Sequence, residues 1–552
     1  MRHSVMQLEL IKNLESRINT QIIQLSSCGL QILVLTVFLS LEFLLDSNMG
    51  NVNEVDVLPL ARQYADPTWI THDWYLNQPP GYRLLFQEIV GKLAANWGFL
   101  AASIIGRLVC YCLVASGLFL ISRRLGLNLI FLLLSVILFI YINPYQGVVA
   151  QEWIVGALEA KAIAYGFVLL GISWMLAGCQ VLLALMLGLA TSFHVLVGGW
   201  TFLTALSWLA LNHKGGFRDA RRLAAFILIY LIASAFAIPS VLQHLRFSNP
   251  IGPIDASYIY VFLRLPHHLN PLSWESGWGL ALIYLLILGI SVAIVRRQRA
   301  SKQSPIVYDA RLGLASFTLL TLVPFALGLL IAPFDTQGKL LQYYPFRLGD
   351  VMLPLGACLL FVCALKQILT PKAERVAIAL SLVLLVWLGS IQAREFQGQL
   401  MKIQQFPSQT QALTPAWEDM CLWIRQHTPK DALVISPPVE FANFSWLSER
   451  STIAKYKLLP QNKEGLLSWY KRLDDLSGET NPWRLEPGEQ PQKNKFKAAL
   501  TEGYAHLGTE QVSTLMHKYQ ADYFVTRLGH QLDLPIAYQN SEHVLYTVSN
   551  SR

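Results

Sequence analysis

Four short stretches carry residue types that could move a proton or hold an anion. The first opens Asn53-Glu54-Val55-Asp56 and runs through Ala61-Arg62-Gln63-Tyr64-Ala65-Asp66 to His72-Asp73-Trp74-Tyr75. A carboxylate held there could take a proton from a hydroxyl as general base, which makes Glu54, Asp56 and Asp73 candidates. Solvated loop acids and turn caps are the competing reading, most directly for Asp66 before Pro67 and for Asp73. The second stretch holds Gln151-Glu152-Trp153 and Glu159-Ala160-Lys161. Glu159 and Lys161 stand at the edge of an apolar run, where an unpaired charge is costly, so a paired or functional role competes with plain anchoring of Lys161 at the interface. The third is Arg264 with His267-His268, whose spacing is not that of a metal site. The fourth carries Lys339 and then Tyr343-Tyr344-Pro345-Phe346-Arg347 ahead of Asp350. The planar fork of an arginine suits phosphate oxygens; a snorkelling arginine in an aromatic belt, or an Arg347–Asp350 pair, would give the same pattern. His194 reads either as a polar group near a cavity or as a turn residue.

These residues sit in a chain of 552 residues, 53% apolar and only 14% charged, against roughly 25% charged in an ordinary soluble domain. Mean hydropathy is +0.40. That composition is one of an integral membrane protein and excludes a purely soluble enzyme, a disordered chain and a disulfide-stapled secreted domain. The net charge of +8 falls in short basic clusters between apolar runs, so it orients the chain in a bilayer and does not indicate nucleic-acid binding. Six of the seven cysteines lie in or beside apolar runs and no CxxC occurs, which reads as small buried hydrophobes.

Runs long enough to span are expected near 22–45, 99–121, 125–142, 160–178, 223–242, 277–295, 312–332, 349–367 and 375–392. The stretch 180–211 is ambiguous, since Thr191-Ser192-Phe193-His194 and Gly198-Gly199 interrupt it. Reading it as two helices turning near His194 places the clusters at Arg123-Arg124, His213–Arg222, Arg296–Lys302 and Lys366–Arg375 on the side of the N-terminus, as the positive-inside rule favours. Eleven spans follow, with a cytoplasmic segment 1–21, a transmembrane domain 22–392 with a long outer loop 46–98, and a soluble extracytoplasmic α/β domain 393–552. In that domain 432–436, 521–526, 535–538 and 543–548 read as strands and 417–427, 465–476 and 509–519 as helices.

The layout resembles the GT-C superfamily of membrane glycosyltransferases, whose first outer loop commonly reads Asp-Glu, then an Ala/Arg/Tyr-rich helix, then Gly-Asp-Trp before a proline. Asn53-Glu54, Ala61-Arg62-Gln63-Tyr64 and His72-Asp73-Trp74 stand in those places. Trp153…Glu159-Ala-Lys161-Ala…Tyr165 and Phe193-His194-Val195-Leu196-Val197-Gly198 also look like an uncharacterised bacterial, mainly cyanobacterial, group of this architecture. The resemblance implies a multi-pass protein of the bacterial plasma membrane that moves a sugar from a polyprenyl-phosphate donor to a glycan or lipid acceptor, inverting the anomeric centre. The base is usually the aspartate that Asn53 replaces here, so Glu54 or Asp56 would have to act instead. Glu152 would position the acceptor or a divalent cation, and Arg347, with Lys339, would hold the leaving phosphate. No motif for an organic cofactor is present, and oligomeric state is not indicated. The alternative is a non-catalytic membrane protein that binds, transports or scaffolds lipid-linked glycans. Transport needs paired ionisable groups within the spans, and beyond Glu42 and His194 none is expected.

Overall fold

A computed structural model describes residues 27–45, 53–143, 145–212, 220–246, 254–297, 304–405, 414–478 and 493–548. The expected cytoplasmic segment 1–21 lies outside them, as do parts of the basic clusters at 213–222 and 296–302.

Within the described residues, ten of the eleven expected apolar runs fall on one helix each, and the run 223–242 is divided between two. In chain order, with the helix that precedes α3 included, these are α1 (Ser27–Phe43), α2 (Glu54–Ala65), α3 (Leu84–Leu125), α4 (Leu129–Tyr141), α5 (Ala160–Leu176) and α6 (Gln180–Phe193). There follow α7 (Val195–Asn212), α8 (Ala220–Ala233), α9 (Ile238–Arg246), α10 (Trp278–Arg297), α11 (Pro305–Ile331), α12 (Arg347–Ile368) and α13 (Pro371–Gln405). Helices α3, α10, α11, α12 and α13 are long and apolar enough to cross a membrane, and the α8–α9 pair, bent by 58°, makes a sixth if taken as one span.

Gly98 (φ 80°, ψ 171°) breaks α3 just ahead of the apolar run 99–121, a conformation only glycine adopts without strain. Below it α3 and α5 approach through small residues: a Cβ on Gly117 would lie 2.5 Å from Leu169 Cβ, and one on Gly166 2.7 Å from Leu113 Cβ. Such contacts are how helices pack where lipid removes the hydrophobic drive. The run 180–211 is two helices. His194 is extended between them (φ −150°, ψ 103°), and α7 turns back closely enough that a Cβ on Gly198 would sit 2.2 Å from Thr191 N.

One expectation is corrected. Arg107 lies within the 99–121 run, and its Nε donates to Glu54 Oε1 at 2.7 Å, so the runs do hold a paired ionisable group. Glu54 comes from α2, outside that run, which is why hydropathy of the run did not reveal the pair.

Residues 414–478 and 493–548 build an α/β unit. Its sheet has the order β2 (Ser451–Thr452), β1 (Leu433–Ile435), β3 (Tyr523–Arg527), β5 (His543–Thr547), β4 (Ile536–Gln539). Strand β1 runs parallel to β2 and β3, and β5 pairs antiparallel with β3 and β4. Alternate strand residues face opposite sides: Val434, Val525 and Leu545 pack on Trp417 and Ile424 of α14 (Pro415–His427). Ile435, Phe524 and Val544 pack on α15 (Lys463–Leu476), α16 (Lys493–Ala505) and α17 (Thr509–Tyr519). Strand β2 and helix α16 were not foreseen, because two residues carry no readable period and α16 follows a polar, proline-containing stretch.

Candidate functional site

The site is assembled around a loop that cannot fold alone. Asp350, near the start of α12, accepts hydrogen bonds from the backbone N–H groups of Val148, Val149 and Ala150 on Oδ1 (2.8 to 3.0 Å) and of Glu152 on Oδ2 (3.0 Å). Four donors on one carboxylate fix the 148–152 turn against α12 and set the side chain of Glu152. That carboxylate receives Lys161 Nζ at 2.7 Å and Arg347 Nε at 2.8 Å. Burial alone would raise its pKa, but the charges of Arg347 and Lys161 outweigh burial and hold it at about 2. The Arg347–Asp350 pair, one of the competing readings of that stretch, is not formed: each reaches a different part of the same turn.

Arg347 is further placed by Tyr344 and His194. Tyr344 adopts a left-handed backbone (φ 54°), uncommon outside glycine, and its ring lies 3.8 Å from the guanidinium carbon. Arg347 Nη1 meets His194 Nε2 at 3.0 Å. A guanidinium only donates, so Nε2 must accept, the ring is neutral and its proton sits on Nδ1. The 3.3 Å approach of Val197 N–H to Nδ1 then gives way to the shorter, charge-assisted contact. Arg347 Nη2 has no protein partner among the described residues.

Above this layer lies a cavity of about 430 Å³. Asn53, Asp56, Tyr82, Arg83, Glu159, Lys161, His194, Tyr260, Arg264, His268, Tyr344 and Arg347 line it, and the C-terminal unit adds Asn443, Tyr456, Lys457 and Lys497. Asp56 accepts from Arg83 Nη1 at 3.1 Å and from the hydroxyl of Tyr75. Asn53 donates from Nδ2 to Glu159 and accepts on Oδ1 from Lys457 Nζ at 2.6 Å. His268 Nδ1 donates to Ala150 O at 2.6 Å, and burial pushes its pKa down to about 3, so it too is a neutral ring.

The structure thus brings together Asp56, Glu159, Lys161, His194, Arg264 and Arg347, with Glu152 in the layer beneath. It leaves three expected residues outside. Glu54 is 0% exposed and is taken up by Arg107, Ser103 Oγ (2.9 Å) and Leu158 N (2.7 Å). It stands two residues from Asp56 on one helix, so the pair cannot share a face. Asp73 is buried and accepts from the backbone N–H of Leu76 and Thr452 at 2.9 and 3.0 Å, tying the segment between α2 and α3 to β2; burial raises its pKa. Lys339 is 66% exposed, 4.0 Å from Asp255, and is not among the lining residues. Arg264 lines the cavity, yet it spends Nε and Nη2 on the carbonyls of Tyr456 and Lys457 (2.9 and 3.0 Å), holding the C-terminal unit in place. Among the described residues no group of three His, Cys, Asp or Glu side chains could hold a metal.

Two apolar features adjoin the cavity. A groove of about 580 Å³ runs between α7 and α11, lined by Val195, Leu196, Leu203, Leu320, Leu327 and Ile331 and closed at one end by Tyr343 and Pro345. A smaller space of about 240 Å³ shares Tyr82, Tyr260 and Gln461 with the cavity and Val195, Leu196 and Tyr343 with the groove. Sequence reasoning missed Tyr82, Arg83, Lys457 and Lys497. The last two had no local signal, since they reach the cavity only through docking of the C-terminal unit.

A family described as a domain of unknown function (DUF6798) matches residues 415–476, within that unit. No curated protein matches the chain. Among solved structures, ArnT from Cupriavidus metallidurans, crystallised in the apo state, is similar over 93% of this chain and 97% of that chain, with a TM-score of 0.40 and 12% identity.

Proposed function

We propose that the chain is an eleven-span membrane glycosyltransferase with a GT-C-like layout, moving a sugar from a polyprenyl-phosphate carrier to an acceptor on the outer face. The observation that carries this reading is the small apolar space that shares residues with a cation-rich polar cavity on one side and with the apolar groove between α7 and α11 on the other. A lipid-linked sugar has that same division: an apolar chain, a phosphate and a polyhydroxyl head. The chain occupies the groove, the phosphate meets Arg347, whose Nη2 is left for it, and the sugar fills the cavity below Lys457 and Lys497. Phosphate is the leaving group, so a fixed guanidinium stabilises charge that grows as the glycosidic bond breaks. Glu152 and Lys161 set the position of that guanidinium, and the C-terminal unit closes the cavity. The basic clusters support an orientation with the N-terminus inside and the C-terminal unit outside.

A second reading, binding without transfer, draws on the lining itself: Asn53 carries no charge, and Asp56 is already engaged by Arg83 and Tyr75. Proteoliposomes given labelled polyprenyl-phosphate sugars separate the two. Release of polyprenyl phosphate with sugar transfer supports the enzyme. Saturable donor binding without release supports the binder, and no binding at all rejects both.

A further inference from the structure

Asn53 and Glu159 share a feature that neither helix needs. Asn53 is the N-cap of α2 and Glu159 the N-cap of α5, and neither side chain caps its own helix. An Asn at that position ordinarily accepts a hydrogen bond from the first-turn N–H groups, and a carboxylate near a helix N-terminus is stabilised by the helix dipole. Here the two side chains turn from their helices to each other, Asn53 Nδ2 donating to Glu159 Oε1. The other end of the same amide accepts from Lys457 Nζ at 2.6 Å. All three residues line the polar cavity. Of the two lining carboxylates, Asp56 is bound on both oxygens, by Tyr75 and Arg83. Glu159 has no ion-pair partner among the described residues, and its Oε2 accepts from no protein group there.

We propose that Glu159 is the general base of the transfer reaction and that Asn53 is its positioning residue, an inference that rests on the glycosyltransferase reading. A carboxylate with one oxygen fixed by a neutral amide and the other open to a cavity can receive a proton, whereas a carboxylate bridged to a guanidinium is held as an acceptor of existing donors. In the step, a lone pair of the acceptor hydroxyl oxygen forms the bond to the anomeric carbon. The bond from that carbon to the phosphate oxygen breaks, its electron pair leaving with the polyprenyl phosphate. The hydroxyl proton passes to Glu159 Oε2 and from there to water of the cavity. Lys457, reaching Asn53 from the C-terminal unit, makes the position of the base depend on that unit being docked.

The test compares variants of the full-length protein in proteoliposomes, with donor binding and transfer measured separately. Glu159→Gln keeps the oxygen that accepts from Asn53 and removes only the basicity. A merely structural Glu159 predicts near-normal transfer in that variant, whereas a base predicts a loss of about 100-fold or more with the donor Kd within threefold of wild type. Glu159→Asp keeps a carboxylate at that position facing Asn53, and recovery of at least tenfold over Glu159→Gln is expected. Transfer by Glu159→Gln within threefold of wild type overturns the assignment. If Asp56→Asn is then the inactive variant, the base is Asp56 and the glycosyltransferase reading stands. A wild-type protein that binds donor and never transfers sugar overturns the reading and this inference together.

Discussion

Replacing Glu152 by glutamine tests the layer beneath the cavity. The carboxyl of Glu152 is held at about 2 against an ordinary 4.5 by Arg347 and Lys161, in spite of its burial. Each tenfold in proton affinity is about 1.4 kcal/mol, so its charge contributes roughly 3 kcal/mol of stability at neutral pH by linkage. That agrees with the ~3–5 kcal/mol that removal of one partner from a buried ion pair usually costs. A glutamine offers one acceptor to two cationic donors at 2.7 and 2.8 Å and turns an N–H toward one of them. A depressed carboxyl stabilises above its unfolded value and loses that contribution as pH falls through its folded value. The gap between wild type and Glu152→Gln is thus fully open above pH 4.5 and closes toward pH 2. Urea unfolding in mixed micelles, followed by tryptophan fluorescence across that range, measures it. Equal stability at pH 7, or a gap that stays constant down to pH 2, would refute the argument.

Three further outcomes are expected. Arg347→Lys keeps the charge but loses the planar contacts to Glu152, His194 and the Tyr344 ring; transfer should fall about 100-fold while the protein still purifies as a monodisperse species. Leu327→Trp fills the α7–α11 groove, and the KM for a long-chain donor should rise while that for a short-chain analogue is unchanged. Arg107→Leu strands the buried carboxylate of Glu54 and should destabilise by about 3–5 kcal/mol, read as lost yield and a lowered Tm; adding Glu54→Met should restore most of it.

Much of the helical framework is legible in the sequence because hydropathy and basic clusters are local. The break at His194 and the kink at Gly98 both fall where polar residues or a glycine interrupt an apolar run. The site is legible only in part. Arg347, Lys161, Asp56 and Glu159 could be named because charges beside apolar runs are few and costly. Their partners could not: the Glu54–Arg107 pair joins α2 to a span, and the Asp350 clamp works through backbone N–H groups, which carry no residue signature. The spacing of Glu54 and Asp56 did contain one unused constraint, that two residues apart on a helix they cannot both face one cavity. Nothing local marked Lys497, or Lys457, whose hydrogen bond to Asn53 joins residues 404 positions apart.

The central claim is that one amphiphilic molecule occupies the cavity and the groove together, and a photoreactive polyprenyl phosphate tests it most directly. With the photolabel on the lipid chain, the account predicts adducts on α7 and α11, competed by unlabelled polyprenyl phosphate and weakened by Arg347→Ala. Labelling spread over the exposed face of α13, with no competition and no dependence on Arg347, would contradict it.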